Sequence, residues 1–225
     1  MSAKLIGALK KTAWVILIFL CAAFVIRAWE SQRRIAPLQP WHTYVPAELS
    51  PKEMDAADWN GYLQHEAQLF KDVNTRMAEE LDASMRVATN RYNPDAPMHP
   101  GRLAYDWNRS YTLDPVGPPR GVAVMLHGLT DAPYSLRHVA NRYREQGFAV
   151  VSIRMPGHGT VPGGLTKANW QDWMAATRLA VREARRRVGN DVPLHVVGYS
   201  NGGALAMKYA LDAIEDPKLA RPDKL

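Results

Sequence analysis

The chain has 225 residues, of which 47% are hydrophobic and 22% are charged. This length is enough for one domain with a substantial core and an extension, and the composition excludes a disordered or low-complexity chain. Residues 1–34 hold six basic residues and one acidic residue, whereas the rest of the chain holds 22 basic and 21 acidic residues. The net charge of +6 therefore belongs to the N-terminus, and the nearly neutral body argues against nucleic-acid binding.

An apolar segment without a polar side chain extends from Ala13 to Ile26. With its flanks up to Trp29 it would rise about 27 Å as a helix, close to the thickness of a bilayer core. Basic residues lie on both sides of the segment, where they would meet lipid headgroups. We therefore predict a single membrane-anchoring helix within residues 1–30, with the body of the protein outside the cytoplasm.

A cleaved signal peptide is the alternative interpretation of this segment, and it would make the protein secreted. Cys21, Ala22 and Ala23 provide small residues at the spacing of a cleavage site. The apolar sequence continues past that site through residues 24–26, which favours the anchor. Cys21 is the one cysteine in the sequence, so an internal disulfide is excluded.

Residues 31–104 are predicted to form a linker followed by a helical extension. Three prolines between residues 31 and 50 are typical of an extended linker. The sequence Ser50-Pro51-Lys52-Glu53 has the serine, first-turn proline and glutamate of a capping box, which predicts that a helix begins there.

A second helix is predicted within this extension. Apolar residues recur at intervals of three and four from Phe70 to Met85, which indicates a one-sided helix that continues to about Val87. We expect this face to pack against the body of the protein, with a partner-binding helix or a lid as the alternative.

Short apolar segments alternate with helical patterns from residue 105 onward. Residues 105–113 are candidate strand material, and the clearest strands and helices, in order, are 122–126, 133–146, 148–153, 170–188, 194–197 and 201–214. Continuously apolar strands separated by helices are typical of a mostly parallel sheet that is covered on both faces, with right-handed crossovers. The pattern therefore predicts an α/β fold.

A glycine-rich turn, Gly198-Tyr199-Ser200-Asn201-Gly202, connects the third apolar strand to the last helix. A serine at such a sharp strand-to-helix turn projects its hydroxyl at the carboxyl edge of the sheet, and small neighbours leave room for the turn. This pattern indicates a nucleophile, whereas a motif that stood alone would equally fit an ordinary glycine-rich turn.

Two further motifs follow the two preceding strands. They are His127-Gly128-Leu129 and Pro156-Gly157-His158-Gly159. The three motifs, in this order and with these flanks, resemble those of the α/β-hydrolase superfamily, within it the monoacylglycerol lipase and serine aminopeptidase-like branch. The resemblance covers residues 105–225. It implies the N-terminal half of a doubly wound, mostly parallel hydrolase sheet, preceded here by a transmembrane helix and a helical extension.

The resemblance implies a role for each motif residue. Ser200 would attack a carboxylic ester or a related small-molecule or lipid acyl substrate, and the backbone N–H groups of Leu129 and Asn201 would form the oxyanion hole. In addition, His127 and Gly128 would shape the oxyanion loop, and the glycines at 198 and 202 would permit the turn. Serine aminopeptidase or acyltransferase activity, or a non-catalytic hydrolase-like binding module, are the alternatives.

No cofactor is implied by this reaction, and the histidines and the single cysteine have no metal-ligand spacing. The family order of the catalytic groups is Ser, then Asp, then His. The residues after Ser200 include four acidic residues but no histidine, and His127 and His158 belong to the earlier loops. His195 lies in an apolar strand and is expected to be a core residue.

The sequence ends at Leu225, before the strands that would carry the acid and the base. An apolar strand left without a neighbour would be an aggregation-prone edge. We therefore expect residues 105–225 to be an incomplete hydrolase domain, and the chain 1–225 to have negligible esterase activity.

Overall fold

The computed structural model describes residues 3–33 and 37–215. The chain divides into two compact units, with the boundary between Leu38 and Gln39. The segment 222–225, where we expect the next strand to begin, lies outside the described residues.

The first unit contains one long helix, α1 (Ala3–Arg33). Its segment Lys10–Arg33 is long and apolar enough to cross a membrane, and none of this segment is buried in the structure. Large apolar side chains such as Phe19 and Phe24 are about three-quarters exposed. A signal sequence near the N-terminus would share these properties.

The second unit begins with three helices, α2 (Pro40–Thr43), α3 (Pro51–Ala56) and α4 (Trp59–Glu80). Two short 3-10 turns follow, Ala83–Met85 and Pro100–Arg102. The capping box predicted at Ser50 is present, because its hydroxyl accepts the N–H of Glu53 while the Glu53 side chain accepts the N–H of Ser50. The helix start predicted there is therefore confirmed.

The long helix α4 ends seven residues before the expected position near Val87. The Asp82 side chain accepts the N–H of Ser84 at 2.8 Å, and this local bond competes with continuation of the helix. The apolar face of α4 packs against Val161 within the same unit. The expectation of a packing face is confirmed.

A four-stranded sheet lies at the centre of this unit. Its strands are β1 (Tyr111–Leu113), β2 (Gly121–Leu126), β3 (Phe148–Ile153) and β4 (Leu194–Gly198). They lie in the order β1-β3-β2-β4, in which β2 is parallel to β3 and β4, and β1 is antiparallel to β3. The predicted mixed α/β architecture with a central sheet is confirmed, although the segment 105–113 contributes only its last three residues as strand.

Three helices follow the strands: α5 (Arg137–Glu145), α6 (Trp170–Val188) and α7 (Asn201–Glu215). Short 3-10 turns precede two of the three, at Pro133–Leu136 and Pro162–Thr166. Alternate residues of β2 point to opposite faces of the sheet: Val124 packs in a core with α6, and Met125 packs in a second core with α5. This explains why the strand is apolar at every position.

His195 is exposed rather than buried, which corrects the expectation for this residue. Its strand β4 is the last of the described sheet, so its side chains are less covered than those of β2 and β3. The imidazole ring lies against Tyr143 and Phe148, with ring centroids 5.7 and 5.0 Å away.

Candidate active site

Strand β4 passes into α7 through a turn of two residues, Tyr199 and Ser200. The turn is closed by the N–H of Gly202, which donates to the carbonyl of Tyr199 at 2.9 Å. Ser200 has a φ angle of 52°, and no other non-glycine residue among those described has a positive φ. A side chain in this left-handed region is strained by about 1–3 kcal/mol. The turn therefore holds an exposed serine in a conformation that side chains rarely adopt.

Two glycines make this turn sterically possible. A Cβ atom on Gly198 would lie 2.1 Å from the carbonyl oxygen of Gly202, and one on Gly202 would lie 1.9 Å from the carbonyl oxygen of Leu126. Both neighbours are backbone atoms, which cannot rotate away. The first turn of α7 can therefore pack against the end of β2 only because these positions have no side chain.

His127 follows β2 and its side chain is 1% exposed. Its Nε2 accepts the N–H of Met155 at 3.0 Å, so the proton is on Nδ1, which donates to the carbonyl of Gly128 at 2.9 Å. Burial lowers the pKa of His127 to about 3, and the ring is therefore neutral near pH 7. In a trans peptide group the N–H points opposite to the C=O. His127 thus directs the N–H of Leu129 away from itself.

The loop after His127 lies beside the serine. A Cβ atom on Gly128 would be 3.6 Å from Cβ of Ser200 and 3.3 Å from the ring of Tyr199. Within residues 37–215, the backbone N–H groups of Leu129 and Asn201 donate no hydrogen bond. The N–H of Asn201 belongs to the first turn of α7, where helix amides have no intrahelical acceptor.

His158 lies in the loop after β3 and is buried. Its Nε2 contacts the carbonyl oxygen of Leu129, and its Nδ1 lies 3.0 Å from the carbonyl oxygen of Pro156. Burial lowers the pKa of His158, and the two carbonyl contacts oppose this only in part. A neutral imidazole has one N–H, so His158 donates to one of these two carbonyl oxygens. Both ring nitrogens of His127 form hydrogen bonds with backbone groups, and both ring nitrogens of His158 lie against backbone carbonyl oxygens.

A cavity of about 430 Å³ lies next to this loop. Polar side chains line much of it, among them Thr130, Asp131, His158 and Thr160. The cavity adjoins the carboxyl ends of β2 and β3, where ligands bind in open α/β sheets. Sequence reasoning did not single out Thr130 or Asp131, although their position directly after the His-Gly-Leu motif was a usable signal.

Arg154 is a second residue that sequence reasoning missed. It directly follows β3 and is 0% exposed. Its partners are Glu48, in the segment before α3, and Glu66, in α4. Its position between a buried strand and a glycine-rich motif was a signal in the sequence that could have identified it. The described residues contain no group of three or more His, Cys, Asp or Glu side chains that could hold a metal ion.

Comparisons with known proteins agree with this geometry. Residues 117–220 match the family described as serine aminopeptidase, S33. A thermostable monoacylglycerol lipase from Bacillus sp. (strain H-257) is 32% identical over 92 residues, which are 41% of this chain and 35% of the lipase. The matched region is similar to α/β-hydrolases of the monoacylglycerol lipase-like branch. The chain spans about a third of the length of that curated relative.

Two solved structures are similar to about half of this chain. One comes from work on LipS and LipT, two metagenome-derived lipolytic enzymes. It has a TM-score of 0.42 and 28% identity, and it covers 50% of this chain and 42% of that one. The other is Est1E from Butyrivibrio proteoclasticus with bound ferulic acid. It has a TM-score of 0.39 and 22% identity, and it covers 48% and 43% of the two chains.

Proposed function

We propose that the chain is part of a serine hydrolase that cleaves a carboxylic ester or a related acyl substrate through an acyl-Ser200 intermediate. The observation that carries this proposal is the turn at Ser200, where an exposed hydroxyl is held in a strained conformation beside Gly128. Strain at one exposed polar residue is typical of a functional site, because the surrounding structure must stabilise it. A nucleophile at such a turn is accessible from the carboxyl edge of the sheet.

The proposed oxyanion hole consists of the N–H groups of Leu129 and Asn201. Two observations support it. Both groups lack an acceptor among the described residues. One group belongs to the loop after β2 and the other to the first turn of α7, and this loop and this helix meet at Ser200. Two N–H donors that converge on one oxygen stabilise the negative charge of a tetrahedral intermediate, and each contributes about 10²–10³ in kcat. The N-terminus of α7 adds a favourable dipole.

We place the base and the acid of the triad on later strands, outside residues 1–225. This assignment is supported by the family order Ser, Asp, His, by the absence of histidine from residues 201–225, and by the backbone contacts that occupy both nearby histidines. Under this proposal the chain 1–225 has negligible turnover. A chain continued through those strands is active.

The proposed substrate is a small-molecule or lipid ester. The named monoacylglycerol lipase supports a lipid acyl substrate, whereas the family described as serine aminopeptidase keeps peptidase activity as the second candidate. Acyltransferase activity or a non-catalytic binding module would use the same scaffold. A non-catalytic binding module differs from the three enzymes because it would lack an Asp and a His on the later loops.

The acyl-enzyme intermediate is tested by trapping it. We expect the continued chain, quenched in acid during hydrolysis of p-nitrophenyl butyrate, to carry a butyryl group on the peptide that contains Ser200. Peptide mapping by mass spectrometry measures this directly. The chain that ends at Leu225 is the matched control and is expected to release no p-nitrophenol above background. A butyryl group on a different residue, or rapid turnover by the control chain, would contradict the proposal.

We propose three regions for the chain: a membrane anchor at 1–30, a linker and helical extension at 31–104, and a hydrolase domain at 105–225. The anchor is supported by the length, apolar composition and exposure of α1, and it would place the body outside the cytoplasm. Release after signal-peptide cleavage is the alternative.

Deletion of residues 1–30 is expected to move the protein from the membrane fraction to the soluble fraction, because the apolar surface that partitions into lipid is then absent. Ultracentrifugation followed by immunoblotting measures the distribution. A shortened protein that stays with membranes through a high-salt wash would contradict the anchor. A mature N-terminus at Phe24 would instead favour the signal peptide.

A further inference from the structure

The guanidinium group of Arg154 is buried, and a buried charge requires opposite charges and hydrogen bonds. Glu48 binds it through two bonds of 2.7 and 2.8 Å, from the two terminal nitrogens of the guanidinium to the two carboxylate oxygens. A third bond of 3.1 Å connects its Nε to Glu66 in α4. Both glutamates come from residues 31–104, Glu48 from the segment before α3 and Glu66 from α4, so this region supplies the counter-charges of a residue in the hydrolase core.

Of the two glutamates, Glu48 also contacts the loop after β3. Its Oε1 accepts the N–H of Gly157 at 2.7 Å. The guanidinium of Arg154 donates to the carbonyl of His158 at 3.1 Å. Glu66 instead accepts hydrogen bonds from the N–H and hydroxyl of Ser110. Glu48 is therefore the carboxylate that holds the loop of residues 155–158, both directly and through Arg154.

This loop orients the two peptide groups on either side of Leu129. The N–H of Met155 binds His127, which in turn holds the carbonyl of Gly128. His158 contacts the carbonyl of Leu129 itself. The direction of the Leu129 N–H thus depends on the position of residues 155–158.

We propose that Glu48 is a positioning residue for the Leu129 oxyanion donor: it holds Arg154 and the N–H of Gly157, and so fixes the loop of residues 155–158 that orients Leu129. This inference rests on the proposed function of Leu129. Burial raises the pKa of Glu48. The charge of Arg154 and the hydrogen bonds from Arg154 and Gly157 lower this pKa by more, so it lies below its ordinary value. Glu48 is thus ionised at neutral pH and carries the charge that Arg154 requires.

The alternative is that Glu48 only attaches residues 31–104 to the core. In that case, loss of any comparable ion pair between the two would have the same effect on activity, and the chain offers a matched control pair. Asp55 in α3 forms a two-bond ion pair with Arg178 of α6, at 2.8 and 2.7 Å. This pair also joins the extension to the core, but the hydrogen bonds and ion pairs of Asp55 and Arg178 do not involve residues 155–158. Loss of the Asp55 charge therefore weakens the attachment without touching the loop.

The test compares Glu48→Gln with Asp55→Asn in the chain continued past Leu225. Glu48→Gln keeps the side-chain shape but loses the charge, and we expect kcat for p-nitrophenyl butyrate to fall about tenfold while KM changes less than about twofold. That pattern is the sign of a weakened transition-state interaction. Asp55→Asn is expected to leave both constants within about twofold of the parent protein.

The second readout does not require activity. In ¹⁵N-labelled protein, Glu48→Gln is expected to change the amide shifts and accelerate the hydrogen exchange of Gly128 and Leu129, whereas Asp55→Asn leaves both unchanged. Unchanged Leu129 signals in Glu48→Gln, or equal losses of kcat in the two variants, would overturn the inference. Turnover that survives Ser200→Ala would refute the hydrolase proposal instead, and the amide signals would still test the contact of Glu48 with the loop.

Discussion

Gly202→Ala is expected to lower the free energy of unfolding by about 3 kcal/mol or more, whereas Gly203→Ala, one residue along the same helix, is expected to raise it slightly. The added Cβ at position 202 would lie 1.9 Å from the carbonyl oxygen of Leu126 and 2.7 Å from that of His127. These are backbone atoms of β2 and of the loop after it. The helix α7 would therefore have to move away from the sheet.

The change in the free energy of unfolding expected for Gly203→Ala has the opposite sign for a physical reason. A Cβ atom there would lie 3.5 Å from its nearest neighbour, the carbonyl oxygen of Gly198, which is an ordinary contact. Alanine in a helix is more favourable than glycine by up to about 1 kcal/mol. Urea unfolding of both variants, followed by circular dichroism, measures the two changes. A Gly202→Ala protein as stable as the parent would show that α7 does not pack against β2 as described.

The central strands could be predicted from the sequence because both faces of the sheet are covered. Every residue of β2 is buried, so the strand has no polar position and its limits are clear in the sequence. The turn at Ser200 was predictable for a similar reason, since close backbone contacts at Gly198 and Gly202 exclude side chains. In both places a single local constraint determines which residues are possible.

The charged network around Arg154 could not be predicted in this way. Glu48 and Arg154 are 106 positions apart, and a lone glutamate in a proline-containing segment is typical of an exposed residue. Its burial is a consequence of tertiary packing, which leaves no periodic pattern in the sequence. The predicted end of α4 was too late for a different reason. The apolar repeat continues to Met85, but the N–H of Ser84 donates to the side chain of Asp82, and this local hydrogen bond interrupts the helix.

Two substitutions of Ser200 are expected to separate the reactivity of the hydroxyl from the strain of the backbone. Ser200→Ala and Ser200→Gly both remove the proposed nucleophile, so each is expected to lower kcat for p-nitrophenyl butyrate by about 10⁴-fold or more in the continued chain. Their stabilities should differ. Alanine keeps a Cβ atom at a φ of 52°, whereas glycine adopts this conformation without steric cost.

We therefore expect Ser200→Gly to be more stable to urea than Ser200→Ala by about 1 kcal/mol, with an unchanged dependence on denaturant concentration. The comparison is internal, because both variants lack the hydroxyl and differ only in one methyl group. Equal stabilities would mean that the turn stores no strain at this residue. Turnover that persisted in both variants would mean that Ser200 is not the nucleophile, whatever the conformation of the turn.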